Sequence, residues 1–206
     1  MMTRSTRRPV CGVIEALRAQ RPEAPYLELV HRLDRETSGC LLIAKRRSAL
    51  KMVHELQRQD LIEKKYLALV SGDWGRKTDI RVDVPLRKNT LKSGERMVQV
   101  DPAGKQALTY FKMLEKFENT MLVEATLVTG RTHQIRVHLA HQGTPIVGDL
   151  KYGNDEVNRQ FRQKGLHRLF LHAYHLAFVH PESARPMHFS APLDEELEDV
   201  LKVLRA

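Results

Sequence analysis

Apolar and polar residues follow a helical period in several parts of this chain. Residues 12–20 carry apolar side chains three or four positions apart, which predicts a short helix with one buried face. Proline cannot continue a helix and restricts the residue before it, so the Arg-Pro pair at 21–22 ends this one. Further helices are predicted from Ser48 to about residue 59 and from the N-cap Asp194 to the end of the chain.

Runs of β-type residues predict a larger number of strands. We expect strands at 26–33 and 39–44 on either side of a polar turn, and another at about 64–71. Four β-type runs follow between 80 and 128, with Lys-Ser-Gly and Pro-Ala-Gly turn signals among them. Shorter strands, including one in RLFLHAYHLAFVH, precede the last helix. This pattern predicts an α+β domain with a mixed, largely antiparallel sheet and flanking helices.

Length and charge limit the class of protein. The 206 residues suffice for one sizeable core, so we predict a basic N-terminal arm at 1–11 and one domain at 12–206. The net charge of +9 favours a polyanionic partner such as a nucleic acid backbone. No run approaches the ~18 apolar residues of a membrane span. The two cysteines form no CxxC pair, which is typical of a reducing cytoplasm.

The stretch HRLDRETSG, at residues 31–39, contains the first candidate for chemistry. It places Asp34 between Arg32 and Arg35, and a T-S-G turn follows. An acid among cations stays ionised and can serve as a nucleophile, a general base or a metal ligand. A structural ion pair is the alternative. The turn predicts that the acid is exposed at a strand end, with Arg32 on the same face of the strand.

A second candidate segment is TGRTHQIRVHLAHQG, at 129–143. A glycine makes the turn from strand to helix, and Thr132 is the predicted helix cap. Arg131 precedes the cap, so we expect its side chain to reach across the helix entrance to a carboxylate. His133 and Arg136 are predicted to bind phosphate from the helix face.

Other kinds of site have little support. The histidines His133, His138 and His141 lack the HExxH pattern and its glutamate, so we predict no metal. Ser38 is not in a GxSxG turn, and there is no glycine-rich phosphate loop. Tyr66 in EKKYLALV is a further candidate, although its apolar strand neighbours are equally typical of a core tyrosine.

Taken together, these stretches resemble the RNA pseudouridine synthases, in the branch that includes the large-subunit ribosomal enzymes. HRLDRETSG with LLIAK, then KKYLALV, then TGRTHQIRVHLAHQGTPIVGDLKYG resemble the three motif regions of that family. The similarity extends over about residues 12–204. It implies the family's catalytic fold and the isomerisation of specific uridines to pseudouridine, with 23S ribosomal RNA as the expected substrate and transfer RNA as the alternative.

The resemblance also implies a role for each candidate residue. Asp34 acts at the ribose C1′, either as a nucleophile that forms an ester or by assisting through a glycal, while the uracil turns and rejoins through C5. Arg131 pairs with Asp34, Tyr66 lies against the flipped base and helps to remove the C5 proton, and Arg32 fills the space that the base leaves. The reaction is redox-neutral, so neither a cofactor nor a metal is implied.

Two features of the family have no counterpart in this sequence. The usual S4-like N-terminal domain is not matched, and MMTRSTRRPVC stands where the family has a Lys-Pro-Gly strand. A missing strand predicts an unpaired sheet edge. The alternatives from other classes are therefore an RNA-binding remnant without catalysis and, less compatible with the motifs, a zinc hydrolase. The retained Asp34, Tyr66 and Arg131 favour a synthase, which we expect to be a cytoplasmic monomer.

Overall fold

The computed structural model describes residues 12–90 and 96–206, which fall into two compact units. The first comprises residues 12–32 and 41–55, and the second comprises 33–40 together with the described residues from 56 to 206. The basic arm predicted at 1–11 and the Lys-Ser-Gly turn lie outside the described residues.

The first unit contains the predicted N-terminal helix. This helix, α1 (Val13–Gln20), ends at its C-cap Arg21, as the following proline requires. Strand β1 (Glu28–Leu29) pairs antiparallel with β3 (Ile43–Ala44). Both are much shorter than the strands predicted here. On one side of the pair, the backbone N–H of Leu42 donates to the His31 ring at 3.1 Å instead of to a neighbouring strand. A run of β-type residues is therefore not enough for a long ladder.

Helix α2 (Arg47–Arg58) begins one residue before the predicted cap. The second unit contains a short strand that precedes α2 in the chain, eight further strands and three helices among its described residues. They are β2 (Ser38–Gly39), β4 (Glu63–Ser71), β5 (Asp79–Asp83), β6 (Leu86–Thr90), β7 (Arg96–Val100), β8 (Leu108–Lys116), β9 (Thr120–Leu127), α3 (Gln134–His141), α4 (Asp155–Gln163), β10 (Leu171–Val179), β11 (Pro186–Ser190) and α5 (Glu195–Arg205).

A seven-stranded sheet organises the second unit. Its strand order is β11-β10-β4-β9-β8-β5, and β2 is attached to β10. Every pairing in this sheet is antiparallel except that of β2 with β10, which confirms the predicted mixed, largely antiparallel sheet. Strands β6 and β7 form a separate hairpin. The long central strand β4 carries Tyr66 opposite Ala125 of β9.

Three helices share a hydrophobic core with this sheet. Leu139 of α3, Phe161 of α4 and Leu201 of α5 belong to the same buried cluster as the central strands. Each such apolar side chain stabilises the fold by about 1.5–3 kcal/mol through burial. Helix α5 confirms the prediction from its cap, because the Asp194 side chain accepts the backbone N–H of Leu197 at 3.2 Å.

Helix α4 was not predicted. Its sequence DEVNRQFRQ is mostly polar, so it lacks the broad apolar stripe that makes a helix visible in a pattern. The signal that marks its start is the N-cap Asn154, whose side chain accepts backbone N–H groups of Glu156 and Val157.

Candidate active site

The loop that carries Asp34 begins with a β-turn. The backbone N–H of Thr37 donates to the carbonyl of Asp34 at 3.0 Å, so the turn spans residues 34–37. Of the T-S-G residues predicted as the turn, Thr37 closes it, while Ser38 and Gly39 form strand β2 and pair with β10. The acid thus stands at the start of a tight turn whose far end is fixed to the main sheet.

The residues after the turn hold this loop in place. Gly39 has φ +109°, and a Cβ atom there would lie 2.2 Å from the Ala173 carbonyl oxygen, so only glycine fits. Cys40 donates its backbone N–H to the same carbonyl at 2.8 Å. The Ser38 hydroxyl donates to Nδ1 of His172 at 2.7 Å, because Nε2 of that ring donates to the Ala191 carbonyl. The T-S-G stretch therefore contributes by fixing the position of the loop that carries Asp34.

The Asp34 carboxylate faces two basic side chains without being bound tightly by either. His133 Nε2 lies 3.9 Å from Oδ1, and Arg136 Nη1 lies 3.8 Å from Oδ2. Both distances exceed hydrogen-bond length. The Asp34 side chain is 19% exposed. The carboxylate is thus oriented by positive charge and polar N–H groups while its oxygens stay available to a substrate.

Arg136 is itself fixed from behind by a buried acid. Its Nε and Nη2 donate to the two carboxylate oxygens of Asp149 at 2.7 and 2.8 Å. The guanidinium carbon lies 5.0 Å from the centre of the Tyr152 ring. Burial lowers the pKa of Arg136, but the hydrogen bonds and charge of Asp149, together with Asp34, raise it overall. The guanidinium is a permanent, rigid cation.

The Asp149 side chain is not exposed to a substrate. Its side chain is fully buried and also accepts the backbone N–H groups of Lys151 and Tyr152 at 2.9 and 3.0 Å. Burial alone raises the pKa of Asp149, and the hydrogen bonds from Arg136 reverse that effect, so the pKa is lowered overall. An acid with this many donors serves to position the guanidinium.

The structure corrects the predicted pairing of Asp34 with Arg131. Arg131 Nε donates to the Gln106 carbonyl at 3.0 Å, and its backbone N–H donates to the buried side chain of Gln134 at 2.9 Å. The N-cap of helix α3 is His133, at φ +53°, one residue after the predicted cap Thr132. Helical side chains lean toward the N-terminus, so Arg136 in the first turn reaches the acid and Arg131 does not. In the described residues, the arginine at Asp34 is Arg136.

Tyr66 lies on β4 and packs against the main core. Burial raises the pKa of its phenol to about 12, with smaller increases from the charge of Asp34 and from Cys40. The influence of Asp34 shows that the phenol is within electrostatic reach of the acid. The two expectations for this residue, a core tyrosine and a site tyrosine, are therefore compatible.

Arg32 is exposed and is the last residue of the first stretch of the first unit. Its expected role in the RNA stack stays a prediction. Sequence reasoning missed Asp149 and Tyr152, although both stand in the quoted stretch GDLKYG. The signal that could have found Asp149 is a buried arginine on an apolar helix, since such a charge requires a carboxylate partner.

A basic pocket of about 480 Å³ lies beside the entrance of α3. Four cations and two glycines contribute to its walls. The lining residues are Leu86, Arg87, Lys88, Val98, Ala103, Gly104, Lys105, Gly130, Arg131 and Thr132. A Cβ atom at Gly104 would lie 2.5 Å from the Leu86 carbonyl carbon, so the backbones approach closely at this wall.

The described residues offer no basis for two other kinds of function. Across residues 12–90 and 96–206, no group of three or more His, Cys, Asp or Glu side chains is arranged to hold a metal ion. None of the helices described in these ranges has the length and apolar character needed to cross a membrane.

The acid of the loop at 31–39, the tyrosine of β4 and the arginine of α3 come from the three motif regions that resemble the family. The family model for RNA pseudouridylate synthases matches residues 10–141. The chain therefore belongs to the RNA pseudouridylate synthase family. This finding confirms the resemblance drawn from the three motif regions.

Individual relatives agree with this assignment. Ribosomal large subunit pseudouridine synthase C of Escherichia coli strain K12 is 53% identical over 94% of this chain, and that of Haemophilus ducreyi is 51% identical over 95%. The chain spans 61% of the length of each. Human RNA Pseudouridylate Synthase Domain Containing 4 has a similar structure, with a TM-score of 0.73 and 26% identity over 93% of this chain and 81% of that one.

Proposed function

We propose that this chain converts specific uridines of RNA to pseudouridine, with 23S ribosomal RNA as substrate. The observation that carries the proposal is the Asp34 carboxylate held at 3.8–3.9 Å from Arg136 and His133. Family membership and the large-subunit ribosomal relatives support the class of reaction and the substrate.

In the proposed reaction, the bond between uracil N1 and ribose C1′ breaks and a bond between C5 and C1′ forms. One proton leaves C5 and one joins N1, so atoms and electrons balance without a cofactor or a metal. Positive charge develops at C1′ as the first bond breaks. The ionised Asp34 stabilises this charge or forms an ester with C1′, as carboxylates do in glycoside cleavage. Either route leaves a detached uracil that turns before C5 attacks.

Arg136 and Tyr66 support this acid in different ways. Arg136 directs a fixed positive charge at one oxygen of Asp34, because its own position is set by Asp149. Tyr66, with a pKa of about 12, is protonated at neutral pH and first offers a hydroxyl group and a flat ring to the base. If Asp34 forms an ester, its negative charge disappears and one cause of the raised pKa with it. Tyr66 can then pass its own proton to N1 of the detached uracil, and the phenolate that remains accepts the C5 proton.

The RNA backbone is proposed to cross the basic pocket beside α3. Arg87, Lys88, Lys105 and Arg131 line it and supply positive charge for phosphates. Arg131 thereby takes the RNA-contact role, while His133 and Arg136 turn toward Asp34. Arg32 keeps its proposed place in the RNA stack. We further propose that the chain works as a monomer in the cytoplasm.

The proposal is tested by incubating the chain with unmodified 23S ribosomal RNA and, separately, with unmodified transfer RNA. Pseudouridine is then mapped at each uridine, and binding of both RNAs is measured in parallel. New pseudouridines in 23S RNA support the proposal. Product in transfer RNA alone would identify transfer RNA, the alternative, as the substrate. Tight binding without product in either RNA is the result expected for a catalytically impaired remnant and overturns the proposed activity.

A further inference from the structure

We propose that Tyr152 is a positioning residue for the reaction: its hydroxyl holds His133 as the neutral tautomer that directs Nε2–H at Asp34. The inference concerns the site of the proposed synthase and rests on that function for its kinetic test. It assigns a role to two side chains that the proposed steps at C1′ and C5 do not use.

The Tyr152 hydroxyl lies at the centre of a hydrogen-bonded chain. It accepts the backbone N–H of Val98 at 2.9 Å and lies 2.8 Å from Nδ1 of His133. A backbone N–H can only donate, so the Tyr152 oxygen must accept there. The phenol has one proton of its own, and donating it to Nδ1 satisfies the hydroxyl and the imidazole nitrogen together.

The other side of the His133 ring supports the same assignment. Its Nε2 faces the Asp34 carboxylate oxygen at 3.9 Å, and a carboxylate is a pure acceptor. With the proton on Nδ1 instead, a lone pair on Nε2 would face a negative oxygen, and the Tyr152 proton would lose its acceptor. The tautomer with Nε2–H is therefore the one that the surrounding groups select.

His133 is held firmly in this orientation. Its backbone is in the left-handed region at φ +53°, which non-glycine residues adopt only where neighbouring structure demands it. The Tyr152 ring meets the imidazole nearly edge-on, with the centroids 5.5 Å apart. Burial lowers the pKa of His133, the charges of Arg136 and Lys151 lower it further, and Asp34 and Asp149 oppose them. The imidazole is neutral at pH 7.

A neutral N–H suits a nucleophilic carboxylate better than a cation would. It orients one oxygen while leaving the negative charge of Asp34 intact for C1′. The other oxygen faces Arg136, so the two oxygens have different partners. Val98 belongs to hairpin β6–β7, which also carries Arg87 and Lys88 at the basic pocket. The Tyr152 hydroxyl thus connects the proposed RNA-contacting hairpin to the ring beside the acid.

The test begins with Tyr152→Phe, which removes the hydroxyl and leaves the ring beneath Arg136. We expect kcat to fall about tenfold, the scale of an unsatisfied buried hydrogen bond, while RNA affinity and KM change by less than about twofold. Tyr110→Phe is the matched control: it removes a hydroxyl from an exposed tyrosine on β8 and should leave kcat unchanged. If the parent enzyme is active, an unchanged kcat in Tyr152→Phe overturns this inference and leaves the proposed function unaffected.

Two variants of His133 separate positioning from packing. Glutamine places an N–H near the position of Nε2, whereas asparagine places its amide near the position of Nδ1. We expect His133→Gln to keep more activity than His133→Asn. Adding Tyr152→Phe to His133→Gln should cost nothing more, because the hydroxyl acts through the imidazole. Fully additive losses would show that Tyr152 has a structural role only.

Nitrogen NMR of the His133 imidazole gives a test that does not depend on activity. The expected spectrum has the proton on Nε2 in the parent protein and a mixture of tautomers in Tyr152→Phe. A proton on Nδ1, or a charged ring at pH 7, contradicts the inference even if the enzyme is active. If the parent makes no pseudouridine, the proposed function fails and this spectrum still decides whether Tyr152 sets the tautomer.

Discussion

Asp34 and Asp149 face the same guanidinium, and their surroundings are opposite. Asp149 is fully buried and accepts four hydrogen bonds of 2.7–3.0 Å, two of them from Arg136. Asp34 is 19% exposed and lies 3.8 Å from Arg136. The buried acid is saturated with donors and cannot take part in chemistry. The loosely held acid keeps its oxygens available, so we propose that the tight pair fixes the geometry and that Asp34 reacts.

The largest effect is expected when the charge of Asp149 is removed. Asp149→Asn leaves the Arg136 guanidinium buried without its counter-charge, and we expect the free energy of unfolding to fall by about 3–5 kcal/mol. Denaturant unfolding monitored by circular dichroism measures the change. Glu156→Gln, at the exposed Glu156–Arg159 pair, is the control and should leave the unfolding midpoint nearly unchanged. An equally small effect of Asp149→Asn would contradict the clamp.

The two arginines of the helix entrance provide the next test. Arg136→Lys keeps a charge but loses the two-pronged contact with Asp149, so kcat should fall about 100-fold with RNA binding largely retained. Arg131→Ala should instead weaken RNA binding and leave kcat unchanged. The slope of the logarithm of the binding constant against the logarithm of the salt concentration should decrease in magnitude by about one. Activity assays and salt titrations on the folded variants separate the two. The reverse result would restore the pairing of Arg131 with Asp34 predicted from the sequence.

The third prediction concerns the stability of the fold in acid. His138 is fully buried, its Nδ1 lies 2.9 Å from the Thr109 hydroxyl oxygen, and burial lowers its pKa to about 4. The unfolded chain binds this proton first, so the contribution to stability is present above about pH 6.5 and is lost as the pH falls toward 4. We expect a slope of up to about 1.4 kcal/mol per pH unit in that window.

His138→Gln tests this slope. The variant should be less stable at pH 7, and its free energy of unfolding should vary less between pH 6.5 and 4 than that of the parent. Urea unfolding at several pH values measures both quantities. A parent slope that survives the substitution unchanged would assign the acid sensitivity to other groups.

The sequence predicted the sheet and the terminal helices well, because their signals are local. Asp194 caps α5, and the long apolar run of β4 forms the central strand. The shortness of the strands at 28–29 and 43–44 and the existence of the polar helix α4 were not foreseen. Their limits depend on backbone hydrogen bonds to side chains such as His31 and Asn154, which no apolar pattern contains.

For the site, sequence reasoning found the acid and the segment that faces it but not the geometry between them. Arg131 and Arg136 are five residues apart, and the choice between them depends on where α3 begins and where its side chains lean. Asp149 and Tyr152 come from a loop that reaches Arg136 through the fold alone. Such tertiary contacts cannot be inferred from the spacing of residues along the sequence.

The most direct test of the central claim is pseudouridine formation in 23S ribosomal RNA by Asp34→Asn, with Asp199→Asn as the control. Asp199 pairs with Lys202 on the surface of α5, so the control makes the same chemical change away from the site. We predict that Asp34→Asn makes no pseudouridine, while RNA binding persists and the free energy of unfolding changes by less than about 1 kcal/mol. Product formation by folded Asp34→Asn at a rate near that of the parent would contradict the account.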